Sequence, residues 1–283
     1  MPDPELAFDS LAGLAARLRA GSLDPVGLAE HLLGRIASLD GKLHSFIRLT
    51  PERALAEAQA ASRALAAGQD LGPLHGLPLA VKDLFDVRGT PTTAGTRLRA
   101  GHCAESDSAA VEKLGQRGMS LLGKTHTVQF AYGAVGINHD QGTPLNPWQP
   151  TPFAPGGSSS GSGVAVAAGL VPVALGTDTG GSVRIPAALC GIVGLKTTVG
   201  RISRAGVYPL SGTLDSVGVL SRTVEDAALV FEALQGKDGR DPSTLVVESP
   251  WSAEGLKAGV KGLRLAFCET VFFDDVDPEV EAA

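Results

Sequence analysis

Apolar positions set a helical rhythm at the start of the chain. Leu6, Leu11, Leu14 and Leu18 recur at near-helical spacing and stop at Gly21. Asp24-Pro25 then supplies an N-cap and a first-turn proline, and Leu28, Leu32, Leu33 and Ile36 fall on one face of the helix that follows. Thr50-Pro51 repeats the signal before an alanine-rich helix ending at Gly68, with a short strand expected in between at Phe46–Leu49. Residues 1–70 are therefore expected to form a mainly helical segment packed on the remainder.

From Leu77 the pattern shortens. Leu77-Pro78-Leu79-Ala80-Val81-Lys82 is an apolar run ending in a charge, which predicts a buried strand. Further strands are expected at Leu121-Leu122-Gly123, Val173-Ala174-Leu175-Gly176, Ile192-Val193-Gly194-Leu195 and Leu263-Arg264-Leu265-Ala266-Phe267. Helical patterns fall at Ala109–Gln116, at 164–170 and at Val224–Leu234. Strands alternating with helices predict an α/β fold with a sheet covered on both faces. Asp277-Pro278-Glu279 is a strong helix start, yet the sequence ends at Ala283. So short a helix is weak alone, because nucleation is recovered only by propagation or packing. The expectation is the N-terminal part of a longer protein; an ordinary frayed terminus is the rival reading.

Composition narrows the class. Of 283 residues, 43% are hydrophobic, enough for a sizeable core, and the net charge of −6 with scattered Lys and Arg argues against a basic nucleic-acid-binding surface. Cys103, Cys190 and Cys268 form no C-x-x-C pair, which fits a reducing compartment. The opening Met1-Pro2-Asp3-Pro4-Glu5 lacks the basic and apolar regions of a secretory signal, and the apolar stretches are too short to span a bilayer. A cytoplasmic enzyme or subunit is expected.

Three motifs compete for the chemistry. Gly118-Met119-Ser120-Leu121-Leu122-Gly123-Lys124-Thr125 satisfies the P-loop expression, but a P-loop follows a strand and opens a helix. Here a helical pattern precedes it and its middle is an apolar strand-like run, so Gly118 reads as a helix cap. Gly157-Ser158-Ser159-Ser160-Gly161 satisfies the nucleophile-elbow expression around Ser159, which requires a hydrophobic strand immediately before it. Pro150, Pro152 and Pro155 exclude a central strand there, and no histidine follows His139 to complete a Ser-His-Asp triad. His31, His44, His75, His102, His126 and His139 show no metal-ligand spacing, and Cys190 reads as a small buried core residue.

What remains is serine chemistry without histidine. The loops Gly156-Gly157-Ser158-Ser159-Ser160-Gly161 and Gly176-Thr177-Asp178-Thr179-Gly180-Gly181-Ser182-Val183-Arg184-Ile185-Pro186 can direct hydroxyls and backbone N–H groups into one space. Lys82, at the end of an apolar run, is the candidate base, because desolvation favours the neutral amine.

These residues resemble the amidase signature family over nearly the whole chain to Phe267. The likeness is densest at Gly76-Leu77-Pro78-Leu79-Ala80-Val81-Lys82-Asp83, at Gly123-Lys124-Thr125 and over 155–196. Ser182 follows Ser158 at the separation that family shows between its catalytic serines. The resemblance implies a mixed central β-sheet flanked by α-helices. It implies Ser182 as nucleophile, Ser158 as bridging serine after a cis peptide, and Lys82 as base. Backbone N–H groups of Thr179, Gly180, Gly181 and Ser182 would form an oxyanion hole, with Ser159, Asp178 and Arg184 in support. Gln129 and Phe130 match a segment lining the acyl pocket. Neither metal nor organic cofactor is required.

The implied activity is hydrolysis of a small-molecule amide by a free-standing amidase, with no direct nucleic-acid or membrane contact and with homodimerisation left open. One alternative is the A subunit of a tRNA-dependent amidotransferase, releasing ammonia from glutamine. Those subunits usually carry Gln where this chain has Ile185, and an apolar side chain there suits a less polar substrate. The other alternative is an inactive fragment.

Overall fold

The computed structural model describes residues 4–149, 151–246, 251–266, 268 and 270–282. In chain order its helices are α1 (Pro4–Phe8), α2 (Leu11–Arg19), α3 (Pro25–Leu43), α4 (Pro51–Ala66), α5 (Ala109–Gln116), α6 (Ser160–Ala167), α7 (Arg184–Cys190), α8 (Val224–Leu234) and α9 (Pro278–Ala282). Its strands are β1 (Phe46–Leu49), β2 (Pro78–Lys82), β3 (Ser120–Thr125), β4 (Val173–Asp178), β5 (Val193–Lys196) and β6 (Ser216–Ser221). The chain divides into two compact units, Met1–Ala253 and Glu254–Ala283.

The helical beginning follows its caps. Asp24 accepts from the N–H groups of Val26 and Gly27 at 2.9 and 3.1 Å, Pro25 opens α3, and His44 ends it in a left-handed conformation. Leu11, Leu14, Leu18, Leu28, Leu32 and Ile36 all reach the core, whereas Leu33 is only partly covered. Each fully buried Leu or Ile contributes about 1.5–3 kcal/mol. Thr50 precedes α4 without capping it; its hydroxyl donates instead to Leu121 O on β3 at 2.8 Å.

The first unit is built on a six-stranded mixed sheet in the order β1-β3-β2-β4-β6-β5. The central strand β2 runs parallel to β3 and β4, and the other three pairings are antiparallel. Helix α6 crosses β2, β3, β4 and β6; α4 packs on β3, α8 on β5 and β6, and α7 on β5. Because β2 and β4 are parallel neighbours, with Val81 beside Leu175, their carboxyl ends emerge together. That is the edge at which open α/β sheets build their sites.

Two elements escaped the sequence pattern. Strand β6 joins β4 to β5, and its Gly218 sits where a Cβ would lie 2.6 Å from Leu195 O, so close strand approach selects glycine there. Helix α7 starts directly after the second glycine loop and carries Pro186 in its first turn, where a missing N–H costs nothing. One expected strand is not formed. Residues 263–266 are exposed and irregular, with no strand beside them among the described residues to take their backbone groups; Phe267 lies outside the described residues. Helix α9 does begin at Pro278. Among the described residues no helix is long and apolar enough to cross a membrane.

Candidate active site

Lys82 closes β2 and is completely buried. Its Nζ donates to Ser158 Oγ at 2.7 Å and to Thr177 Oγ1 at 2.8 Å. Burial pushes its pKa from 10.5 down to about 7, against the opposing pull of the Asp178 and Asp215 charges. Above that value the amine is mostly neutral and has a lone pair. The same 2.7 Å contact then allows the Ser158 hydroxyl to donate to Nζ.

Ser158 is held from its backbone. The Gly157–Ser158 peptide is cis, and the Ser158 carbonyl accepts from Val128 N at 3.2 Å and Thr127 Oγ1 at 3.0 Å. Ser159 sets the spacing to β4. Its Oγ donates to Thr177 O at 3.3 Å, and a Cβ on Gly176 would lie 2.5 Å from the Ser159 Oγ, so only glycine admits the approach. Ser159 N–H donates to Ser182 O at 3.1 Å, which joins the two glycine loops directly.

Asp178 organises the second loop from the end of β4. Its carboxylate accepts from Gly181 N at 2.8 Å, Val183 N at 3.1 Å and Arg184 N at 3.3 Å. Arg184 adds two side-chain bonds, Nε at 3.0 Å and Nη2 at 2.9 Å. Burial works against the charge, but Arg184 and these N–H groups outweigh it and hold the carboxyl below its ordinary range. Gly181 N–H is thus committed to Asp178. Among the described residues, the N–H groups of Thr179, Gly180 and Ser182 have no protein acceptor.

Ser182 lies half-buried just before α7. No hydrogen bond joins its Oγ to Ser158 Oγ among the described residues; the link between the two loops is the Ser159 N–H to Ser182 O bond. Hydroxyl–hydroxyl contacts between catalytic groups are often long in unliganded sites and tighten when substrate binds.

Gln129 and Phe130 lie on a 3-10 turn, Gln129–Ala131, in which Phe130 has φ 52° and its N–H donates to Ala94 O at 2.7 Å. Nearby, the half-buried Asp140 accepts from Thr96 Oγ1 at 2.9 Å and Arg97 N at 2.7 Å. The Phe130 ring lies 6.1 Å from that of Tyr208. Tyr208, Val207, Pro209, Asp215 and Thr177 line a cavity of ≈ 220 Å³, so the cavity adjoins a direct partner of Lys82.

Thr177 and Asp215 were not singled out from sequence. Thr177 sits inside the second glycine motif, but only the parallel register of β2 and β4 turns its hydroxyl to Lys82. The P-loop look-alike is absorbed into β3. Its Lys124 forms a buried ion pair with Asp83 at 2.6 Å and donates to Pro91 O at 2.7 Å. Cys190 is buried, and that burial pushes its thiol up to about 12. His126 is likewise buried, which lowers it to about 4.

Comparison with known proteins shows the family of the chain. The Amidase family model matches residues 28–283. The A subunit of the glutamyl-tRNA(Gln) amidotransferase of Chromohalobacter salexigens is 46% identical over 274 residues, covering 97% of this chain and 56% of that protein. A 2-amino-5-chloromuconic acid deaminase of Comamonas testosteroni is 43% identical over 275 residues, covering 97% and 57%. The solved peptide amidase from Stenotrophomonas maltophilia superposes with a TM-score of 0.80 at 37% identity, over 86% of this chain and 51% of that one. The chain therefore spans little more than half the length of these proteins.

Proposed function

The chain belongs to the amidase family, and we propose that it hydrolyses a carboxamide C–N bond through an acyl-enzyme on Ser182, with Ser158 and Lys82 as the proton relay. The observation that carries this reading is the buried Lys82, lowered to about 7 and hydrogen-bonded to Ser158. Neutral Lys82 takes the Ser158 proton as Ser158 takes that of Ser182. The Ser182 oxygen attacks the amide carbonyl. N–H groups of Thr179, Gly180 and Ser182 receive the developing oxyanion, and one such donor is worth ~3 kcal/mol. The proton returns through Ser158 to the nitrogen, the C–N bond breaks and the amine leaves. Water then enters, gives its proton to the same relay and cleaves the ester, restoring Ser182 and releasing the acid. The relay requires neither metal nor organic cofactor, and the enzyme acts in the cytoplasm on a small-molecule amide.

A second reading, an amidotransferase A subunit supplying ammonia from glutamine, is favoured by the 46% identity to one such protein. Ile185, half-buried after Ser182 with its side chain against Gly181, favours the free-standing amidase, because it offers an amide substrate no polar contact. Ammonia release from aryl amides, alkyl amides and glutamine by the 283-residue chain and its Ser182→Ala variant decides between them. Turnover of simple amides, abolished in S182A, is the expected result. Turnover of glutamine alone selects the second reading. An S182A variant as active as the parent overturns both.

A further inference from the structure

Asp215 touches no member of the relay, although its charge acts on Lys82; the residue is only 8% exposed and its carboxylate collects donors from two separate loops. Thr179 Oγ1 donates to Oδ1 at 2.5 Å, while Leu210 N and Ser211 N donate to Oδ2 at 2.8 and 2.9 Å. Its own N–H donates to Ser211 O at 3.2 Å, and the next residue, Ser216, opens β6 opposite Asp178. The carboxylate is therefore rooted in the sheet while its two oxygens reach in different directions.

Both destinations matter to the site. Thr179 leads the loop that carries Ser182. The far side of that loop is held by Asp178, through Gly181, Val183 and Arg184. The near side has no such tether among the described residues: Gly180 is exposed, with nothing within 4 Å of where a Cβ would stand. The Thr179 hydroxyl bond to Asp215 thus fixes the near end of the peptide whose N–H would face the oxyanion. Leu210 and Ser211 directly follow Tyr208-Pro209, which line the ≈ 220 Å³ cavity. A charged acceptor with both oxygens engaged makes stronger bonds than a neutral one and holds both segments at once.

We propose that Asp215 is a positioning residue that sets the 179–182 loop and the 208–211 cavity wall in one register, so that the amide carbonyl meets the nucleophile and the loop N–H groups together. The proposal rests on the amide-hydrolysis reading for its catalytic consequence, but the bridge itself can be measured without turnover. Steady-state kinetics on the best carboxamide and amide hydrogen exchange are compared for the full chain and its Thr179→Val, Thr179→Ser and Asp215→Ala variants. Thr179→Val is expected to lower kcat by about tenfold or more with KM within about twofold, since misplaced reacting groups cost rate before affinity. Asp215→Ala lowers kcat and also raises KM, and Thr179→Ser, which keeps the hydroxyl, recovers most of the loss. In exchange, Thr179→Val accelerates the bonded Gly181 N–H of the loop alone, whereas Asp215→Ala accelerates Gly181, Leu210 and Ser211 together. Parental kcat and exchange in Thr179→Val overturn the proposal, as does uniformly faster exchange across the sheet in Asp215→Ala. If S182A stays active or the parent turns over no amide, the hydrolysis reading fails, and the exchange pattern still decides the bridge.

Discussion

Lys82 Nζ lies 2.8 Å from Thr177 Oγ1 across two parallel strands, so the candidate base is clamped between two hydroxyls, with no carboxylate touching it among the described residues. Thr177→Val leaves a buried N–H without an acceptor, a loss of about 1–3 kcal/mol. The Nζ then turns away from Ser158 or draws in water. A fall in kcat/KM of about tenfold or more is expected, with Thr177→Ser close to the parent. Kinetics of the two variants settle it; a Thr177→Val enzyme as fast as the parent would show that the clamp is dispensable.

The pH dependence follows from the same amine. Activity needs Lys82 neutral, so kcat/KM should rise through about pH 7 and level off above it. Stability carries the matching signature. Between about 7 and the ordinary 10.5 the unfolded chain binds the proton and the folded chain does not, so this group makes stability rise with pH across that window. Below the folded value both states are protonated and the burial cost is complete. Lys82→Met removes the cost along with the activity. Its gain in Tm over the parent should be larger at pH 6.5 than at pH 9.5, at about 1.4 kcal/mol per pH unit within the window. Equal gains at both pH values would mean that Lys82 is not desolvated as found.

Glycine loops and a lysine ending an apolar run are local signals, legible in the sequence, whereas the roles expected of Lys82, Ser158 and Ser182 rest on the resemblance to the amidase signature. The structure sets Lys82 against Ser158 and ties the Ser182 loop to its neighbour through Ser159 N–H. Thr177 and Asp215 are not legible in that way. Thr177 is an ordinary strand residue until the β2–β4 register sets it against Lys82. Asp215 is an isolated acid whose partner Thr179 lies 36 residues away. The fold shows the same division: β2, β3 and β4 are apolar runs, whereas β6, Ser-Val-Gly-Val-Leu-Ser, has a mid-strand glycine that only its close neighbour explains. Residues 263–266 show the converse, since an apolar pattern with no pairing partner among the described residues makes no strand.

Asp178 should behave as the keystone of the nucleophile loop. Its side chain is fully buried while Arg184 remains 55% exposed, so the backbone N–H bonds, rather than the ion pair, carry most of its effect. Asp178→Asn keeps the shape but puts an NH2 group against donors it cannot accept from, at a cost of about 3 kcal/mol. Arg184→Gln removes only the partly solvated partner and should cost about 1 kcal/mol or less. Denaturant titration of the two variants gives the ranking, and an Arg184→Gln loss equal to that of Asp178→Asn would reverse the argument.

Asp83 and Lys124 form a buried pair one residue beyond the candidate base. Asp83 accepts from Thr93 N at 3.0 Å and from the Thr93 hydroxyl, and its own carbonyl accepts from Ala94 N at 3.1 Å. Ala94 O in turn accepts from Phe130 N at 2.7 Å, so the pair supports the turn that brings Phe130 beside Tyr208. Lys124→Met leaves the Asp83 carboxylate buried without its cation and should destabilise by about 3–5 kcal/mol. Asp83→Asn with Lys124→Met removes both charges, so the double variant should be more stable than Lys124→Met alone. A double-mutant cycle on unfolding free energy tests this, and strictly additive losses would mean that the two charges do not act as a pair.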